Sequence, residues 1–162
     1  MMPHEAIRDL MRRTMVNLRV IEVQATREGP YEVTQLVNSF LAALAHPWEV
    51  YGKELDELSI SDAVAAGWPK LTKERATDDE PKSLGDLLRL VRNAFAHGNL
   101  EFLSTGGNEI THIRFWNNNR KGKRTWGAIA GVDSMRLFLD KFVELAENLS
   151  ESDVTKVKRK TA

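Results

Sequence analysis

Arg92, Asn93 and His97 stand within the stretch "VRNAFAHGN", residues 91–99, where a helical run ends against Gly98. Those three residue types suffice for cleaving a phosphodiester without metal. The reaction needs a group that exchanges a proton near neutral pH, which histidine supplies unperturbed, and a cation to stabilise the phosphoryl transition state, a role that suits the planar arginine fork. A histidine at a helix C-terminus lies at the negative end of the dipole, which favours its protonated, acidic form. Asn93 precedes His97 by one turn on the same face, so its amide is placed to orient the ring or to hold phosphate. Arg92 and His97, five residues apart, fall roughly 140° apart around a helix. One straight helix does not stack them. Either the arginine curls toward the histidine, or two chains pool their residues across a two-fold axis. The plain alternative is a helix stop, with His97 favoured by the dipole and Gly98 as the left-handed terminator.

Other chemistry is sparse. The chain has four histidines, His4, His46, His97 and His112, and no cysteine. No histidine pair has the helical spacing of a zinc enzyme and no glycine loop suits phosphate, so neither a metal nor a cofactor is expected. Basic and acidic residues balance at 23 each, so net charge selects no polyanion. Basic residues concentrate at two points. Arg120, Lys121, Lys123 and Arg124 form the tip "RKGKR", which reads as an RNA phosphate contact; Lys156 to Lys160, "KVKRK", read as a solvated end. No apolar run approaches the ~18 residues of a membrane span, and the N-terminus lacks the apolar core of a secretory signal. A cytoplasmic protein without a membrane partner is expected.

The elements that must carry these residues follow from periodicity. Helix one is expected from His4 to about Thr26, with Arg8, Arg12 and Arg19 on a solvated stripe. Helix two is expected to start with Pro30 in its first turn, to bury Val33, Leu36, Phe40 and Leu44, and to stop at His46-Pro47. Its other stripe, Tyr31, Gln35 and Asn38, is polar yet uncharged and marks a site or a dimer face. Residues 47–82 read as a long, partly ordered connection with a helical turn around Ile60 to Ala66, pinned by Trp48 and Trp68. Ser83 and Asp86 resemble a capping box at the start of helix three, which carries the motif. Residues 109–130 read as a β-hairpin with the basic tip, in which Trp116 and Trp126 pack across strands rather than stack on bases. Asp133 is expected to cap helix four, and residues 151–162 read as a disordered basic tail. Together these give one mainly α domain over residues 1–150, an up-and-down four-helix bundle with a β-hairpin inserted between the third and fourth helices.

The "RNAFAH" stretch resembles the R-x4-6-H motif of HEPN domains. Its flanks "GPYEVTQLVNSFLAALAHPWE", "FWNN" and "TWG" extend the likeness to a plasmid-associated bacterial HEPN subgroup over about residues 15–150. The resemblance implies a dimeric helical bundle whose two motifs meet in a positively lined cleft, and metal-independent endoribonuclease activity in a toxin–antitoxin or phage-defence setting. It assigns Arg92 and His97 as the motif pair and Asn93 as their polar neighbour. It also implies attack by the RNA 2′-hydroxyl, RNA and a second copy as partners, and a cognate antitoxin. In one branch a tyrosine two residues after the histidine is modified by a nucleotidyltransferase antitoxin; here Asn99 stands there, so that modification is not implied. The alternative is a non-catalytic HEPN module that binds RNA, nucleotide or a partner protein. A purely structural dimer built on the Tyr31, Gln35 and Asn38 stripe is a third reading.

Overall fold

The computed structural model describes the backbone of residues 3–26, 28–107 and 109–160, and the side chains of residues 5–26, 28–44, 54–107 and 109–149. Its elements are α1 (Pro3–Gln24), α2 (Glu32–Asp56), α3 (Ile60–Ala65), α4 (Leu84–Ala96), β1 (Leu100–Leu103), β2 (His112–Asn118), β3 (Arg124–Gly131) and α5 (Val132–Lys160). The chain is thus mainly helical, with one small antiparallel sheet in the order β1-β2-β3.

Apolar spacing makes α4 the centre of the fold. Leu84, Leu87, Leu88, Val91, Ala94 and Phe95 recur at helical intervals and are all buried. A relay of ring contacts then joins the layers. Trp68 meets Phe138 of α5 edge-on at 5.2 Å, Phe138 stacks with Phe40 of α2 at 6.2 Å, and Phe40 lies 5.0 Å from Phe95. Phe95 meets Phe115 of β2 at 5.5 Å, and Phe115 meets Trp126 of β3 at 5.7 Å. All of these separations fall in the favourable range for aromatic pairs. Trp68 therefore pins its segment as expected, whereas the side chain of Trp48 lies outside the described residues. Residues Ile113, Phe115 and Asn117 alternate inward along β2, the period-two pattern of a sheet with one face on the helices.

Several expectations need correction. Helix two does not stop at His46-Pro47 but continues to Asp56. A proline inside a helix costs about 3 kcal/mol, and the continuation offsets that cost by delivering Leu55, 1% exposed, to the core and by setting α2 against the start of α4. Residues 47–82 are consequently more ordered than a connection: they hold the end of α2, a segment docked on the sheet, and α3, which is the helical turn expected around Ile60 to Ala66. Lys73 bridges Ala128, the Glu74 N–H donates to the Gly127 carbonyl and the Asp79 N–H to that of Thr125, so this segment continues the sheet beyond β3. The hairpin is a pair within three strands, because Leu100 to Leu103 pair with Phe115 to His112. Strand β1 is four residues long and its burial does not alternate, which leaves no periodic signal to find. Finally, α5 is helical to Lys160, well past Ser150, and begins at Val132, so Asp133 lies in its first turn rather than capping it. Pro30 likewise precedes the N-cap Tyr31.

Helices α2 and α4 cross closely at Gly85. A Cβ built there would sit 2.5 Å from Asp56 Oδ1 and 2.7 Å from both the Asp56 nitrogen and the Leu55 carbonyl carbon. Helix propensity favours alanine over glycine by about 1 kcal/mol, but backbone atoms cannot yield as a flexible side chain does. Gly85→Ala is therefore expected to destabilise by a net ~1–3 kcal/mol, read as a lowered urea midpoint. A raised midpoint would show that the crossing has slack.

Candidate functional site

Both ends of α4 are built by local hydrogen bonds. At the start, Ser83 Oγ accepts from the Asp86 N–H at 3.0 Å, as the capping box predicts. The reciprocal half differs, because the Asp86 carboxylate accepts from the Lys82 N–H at 3.0 Å. Burial pushes the Asp86 carboxyl up, but hydrogen bonds from Arg89 and the Lys82 N–H, with the charges of both residues, outweigh it and hold the group below its ordinary value.

At the other end His97 is the C-cap, with φ −92° and ψ 1°, and its N–H donates to the Asn93 carbonyl at 3.0 Å. Gly98 follows at φ +66°, its N–H on the Phe95 carbonyl, while the Asn99 N–H reaches the Ala94 carbonyl at 2.9 Å. Together these bonds form a Schellman stop. No heavy atom lies within 4 Å of a Cβ built on Gly98, so backbone conformation rather than space demands glycine there.

The stop leaves His97 exposed, while Arg92 and Asn93 are half-buried. Arg92 shares its flank of α4 with Gly85, two turns earlier, and that flank faces α2. Asn93 and His97 share theirs with Leu90, whose carbonyl accepts from Asn117 Nδ2 of β2 at 2.7 Å. Within one chain the motif is therefore split between two flanks. The contacts Gly85 with Asp56 and Phe95 with Phe40 show that α2 and α4 run antiparallel, which brings the first turns of α2 to the His97 end. The polar stripe lies there: Tyr31 is 68% exposed, Gln35 Nε2 reaches Ser39 Oγ at 3.4 Å, and Asn38 is exposed. Tyr31 also borders a shallow recess of about 670 Å³ with Thr34, Glu109 and Ile110.

A larger cleft of about 900 Å³ opens beside α4, lined in part by Asn93, Asn117, Asn118, Thr125, Asp79 and Asp86. Neither Arg92 nor His97 lines it. No sequence pattern announced this cleft, because its walls come from segments far apart in the chain.

The basic tip divides. Arg120, Lys121 and Lys123 are exposed on a turn organised by Asn119, whose Oδ1 accepts from the Lys121 and Lys123 N–H groups at 2.9 and 3.0 Å. Arg124 is not part of that surface. Its side chain is 13% exposed and holds Asp78 with Nε and Nη2 at 3.0 and 2.7 Å and Glu74 with Nη1 at 2.8 Å. Glu74 also binds Arg114 at 3.0 Å, and Arg114 binds Glu101 at 2.7 Å, completing an ionic ladder across the sheet. Burial pushes Asp78 up, but the hydrogen bonds from Arg124 and the Arg75 N–H, with the charges of both arginines, outweigh it and keep the carboxyl below its ordinary value.

Of the remaining histidines, His112 shares a hydrogen bond with Thr111 Oγ1 at 2.9 Å, and the side chains of His4 and His46 lie outside the described residues. Among the described residues no group of three or more histidines and carboxylates is arranged to hold a metal ion, and no helix is long and apolar enough to cross a membrane.

Fold and site together define a mainly helical domain that presents an arginine, an asparagine and a histidine near the end of a core helix. The model of the HEPN pEK499 p136 family matches residues 1–153, and the chain belongs to that HEPN family. No curated protein and no solved structure gives a significant match.

Proposed function

We propose that this HEPN protein is a metal-independent endoribonuclease whose active site is completed between two copies of the chain, acting in a toxin–antitoxin or phage-defence setting. The observation that carries the reading is the split motif: His97 is exposed at a Schellman stop, and Arg92 lies on the other flank of the same helix. A second copy turned about a two-fold axis beside α4 supplies what one chain lacks.

In that site the 2′-hydroxyl of RNA attacks the adjacent phosphorus. The O2′–P bond forms, the P–O5′ bond breaks, and the products are a 2′,3′-cyclic phosphate and a 5′-hydroxyl. His97 of one copy takes the 2′-hydroxyl proton as general base and passes it to the departing O5′ as general acid. Arg92 stabilises the charge that develops on the phosphoryl oxygens, and Asn93, one turn below His97, orients the ring or the phosphate. Arg120, Lys121 and Lys123 hold flanking phosphates, a contact that weakens as salt rises.

The deciding experiment is cleavage of RNA in excess chelator with analysis of the new ends. Wild type is expected to leave cyclic phosphates, and His97→Ala and Arg92→Ala are each expected to leave RNA intact. Undiminished cutting by both variants would overturn the assignment. Salt-sensitive binding without product would identify a non-catalytic RNA-binding module instead.

A further inference from the structure

The cleft beside α4 has a composition that the nuclease reading does not use. Its volume of about 900 Å³ is in the range of ligand-binding clefts. Three amides, Asn93, Asn117 and Asn118, converge on it. Asn117 is 8% exposed and held by its bond to the Leu90 carbonyl, so that amide is fixed before any ligand arrives. The Asp79 backbone is likewise anchored, with its N–H on the Thr125 carbonyl at 2.8 Å. Carboxylates Asp56, Asp79, Glu80 and Asp86 outnumber the cations Lys82 and Arg89 among the lining residues. A phosphate is repelled by such a lining, whereas a group presenting N–H donors is attracted. The exposed cations Arg120, Lys121 and Lys123 begin two residues beyond Asn118, so phosphate affinity and donor affinity lie side by side along the hairpin.

We infer that this cleft reads an unstacked RNA base, taking the exocyclic amino groups of adenine and cytosine in preference to the carbonyl edge of uracil, while the hairpin tip holds the neighbouring phosphate. Single-stranded RNA is read in this way, through base edges presented to fixed polar groups. An amide serves as donor and acceptor at once, and a carboxylate only accepts, so Asp79 selects against the O4 of uracil. Asn93 belongs to both sites, which places the base that is read next to the bond that is cut. The inference rests on RNA being the substrate, as proposed above.

The test measures binding rather than cleavage, so it does not depend on turnover. Labelled oligo(A), oligo(C) and oligo(U) are titrated with full-length His97→Ala protein. Oligo(A) and oligo(C) are expected to bind more tightly than oligo(U), by on the order of 10-fold. Asp79→Asn and Asn118→Ala, both at exposed positions, are each expected to bring that ratio toward one. The triple change Arg120→Ala, Lys121→Ala and Lys123→Ala is expected to weaken all three alike and flatten the salt dependence. Melting curves matching the parent confirm that the variants fold. Equal affinity for the three oligonucleotides, or a preference that both cleft variants leave intact, overturns the base-reading cleft and leaves the nuclease reading standing. Failure of every oligonucleotide to bind overturns both.

Discussion

A one-to-one mixture of Arg92→Ala and His97→Ala protein is expected to cut RNA although neither does so alone. His97→Ala should lower the rate by about 10²–10⁴-fold, the contribution of a well-placed proton-transfer group, and Arg92→Ala by about 10²–10³-fold, that of a donor aimed at the developing charge. If Arg92 of one copy works with His97 of the other, a mixed dimer holds one site with both residues intact and one with neither. Half of a statistical mixture is mixed dimer, so about a quarter of the wild-type rate should return once subunits exchange. If the arginine instead curls toward the histidine of its own chain, every site in the mixture lacks one residue, and the rate stays at the level of the single variants. The measurement therefore separates the two geometries that the 140° offset allows. A variant lacking both residues, mixed with wild type, should show no such gain and controls for dilution.

The largest effect on stability is expected at Arg124. Removing one member of a buried ion pair leaves its partner charged and unpaired, at a cost of about 3–5 kcal/mol. Asp78, with its side chain 2% exposed, and Glu74 would be the partners stranded by Arg124→Ala. Each kcal/mol lowers the melting temperature of a domain this size by about 2–4 °C. The pH dependence has a definite sign. In the wild type the Asp78 pKa is lowered, so its contribution is fully present above the unfolded value, about 3.9, and is lost as pH falls through the lower folded value. Without Arg124, burial acts on Asp78 with less opposition and favours the protonated acid, so acid relieves the variant. The gap in stability between wild type and Arg124→Ala should accordingly be widest near neutrality and shrink as pH falls through about 4. A loss below about 1 kcal/mol, independent of pH, would put the ladder in the class of solvated surface pairs. Replacing both partners, as in Arg124→Met with Asp78→Leu, should recover part of the loss.

This ladder also shows why part of the candidate site was illegible beforehand. In sequence, Arg124 continues "RKGKR" and is indistinguishable from its neighbours, so it reads as one more phosphate contact. In the fold, Asn119 organises the turn so that Arg120, Lys121 and Lys123 face solvent, while Arg124, already on β3, turns toward carboxylates from residues 74 and 78. Gly127 makes this possible, since a Cβ there would collide with the Arg124 guanidinium. No local pattern ties positions 74, 78, 124 and 127 together. The run of α2 past Pro47 was hidden for a similar reason: local chemistry argues for a stop, and contacts with α4 argue for continuation.

What the sequence determined by itself was whatever depends on neighbours along the chain. The buried face of α4, its Ser83 cap, its glycine stop, the antiparallel pairing of β2 with β3 and the angular offset of Arg92 from His97 all follow from helical and strand periods and from the φ that glycine alone tolerates. Tertiary structure decided the rest: the direction in which Arg124 points, the third strand, the docking of residues 73–79 on β3, and the cleft in which Asn93 meets Asn117 and Asn118. These depend on which distant segments share the space around α4. Burial settles that by removing apolar surface from water wherever the whole chain can best do so, and no short window of residues encodes the outcome.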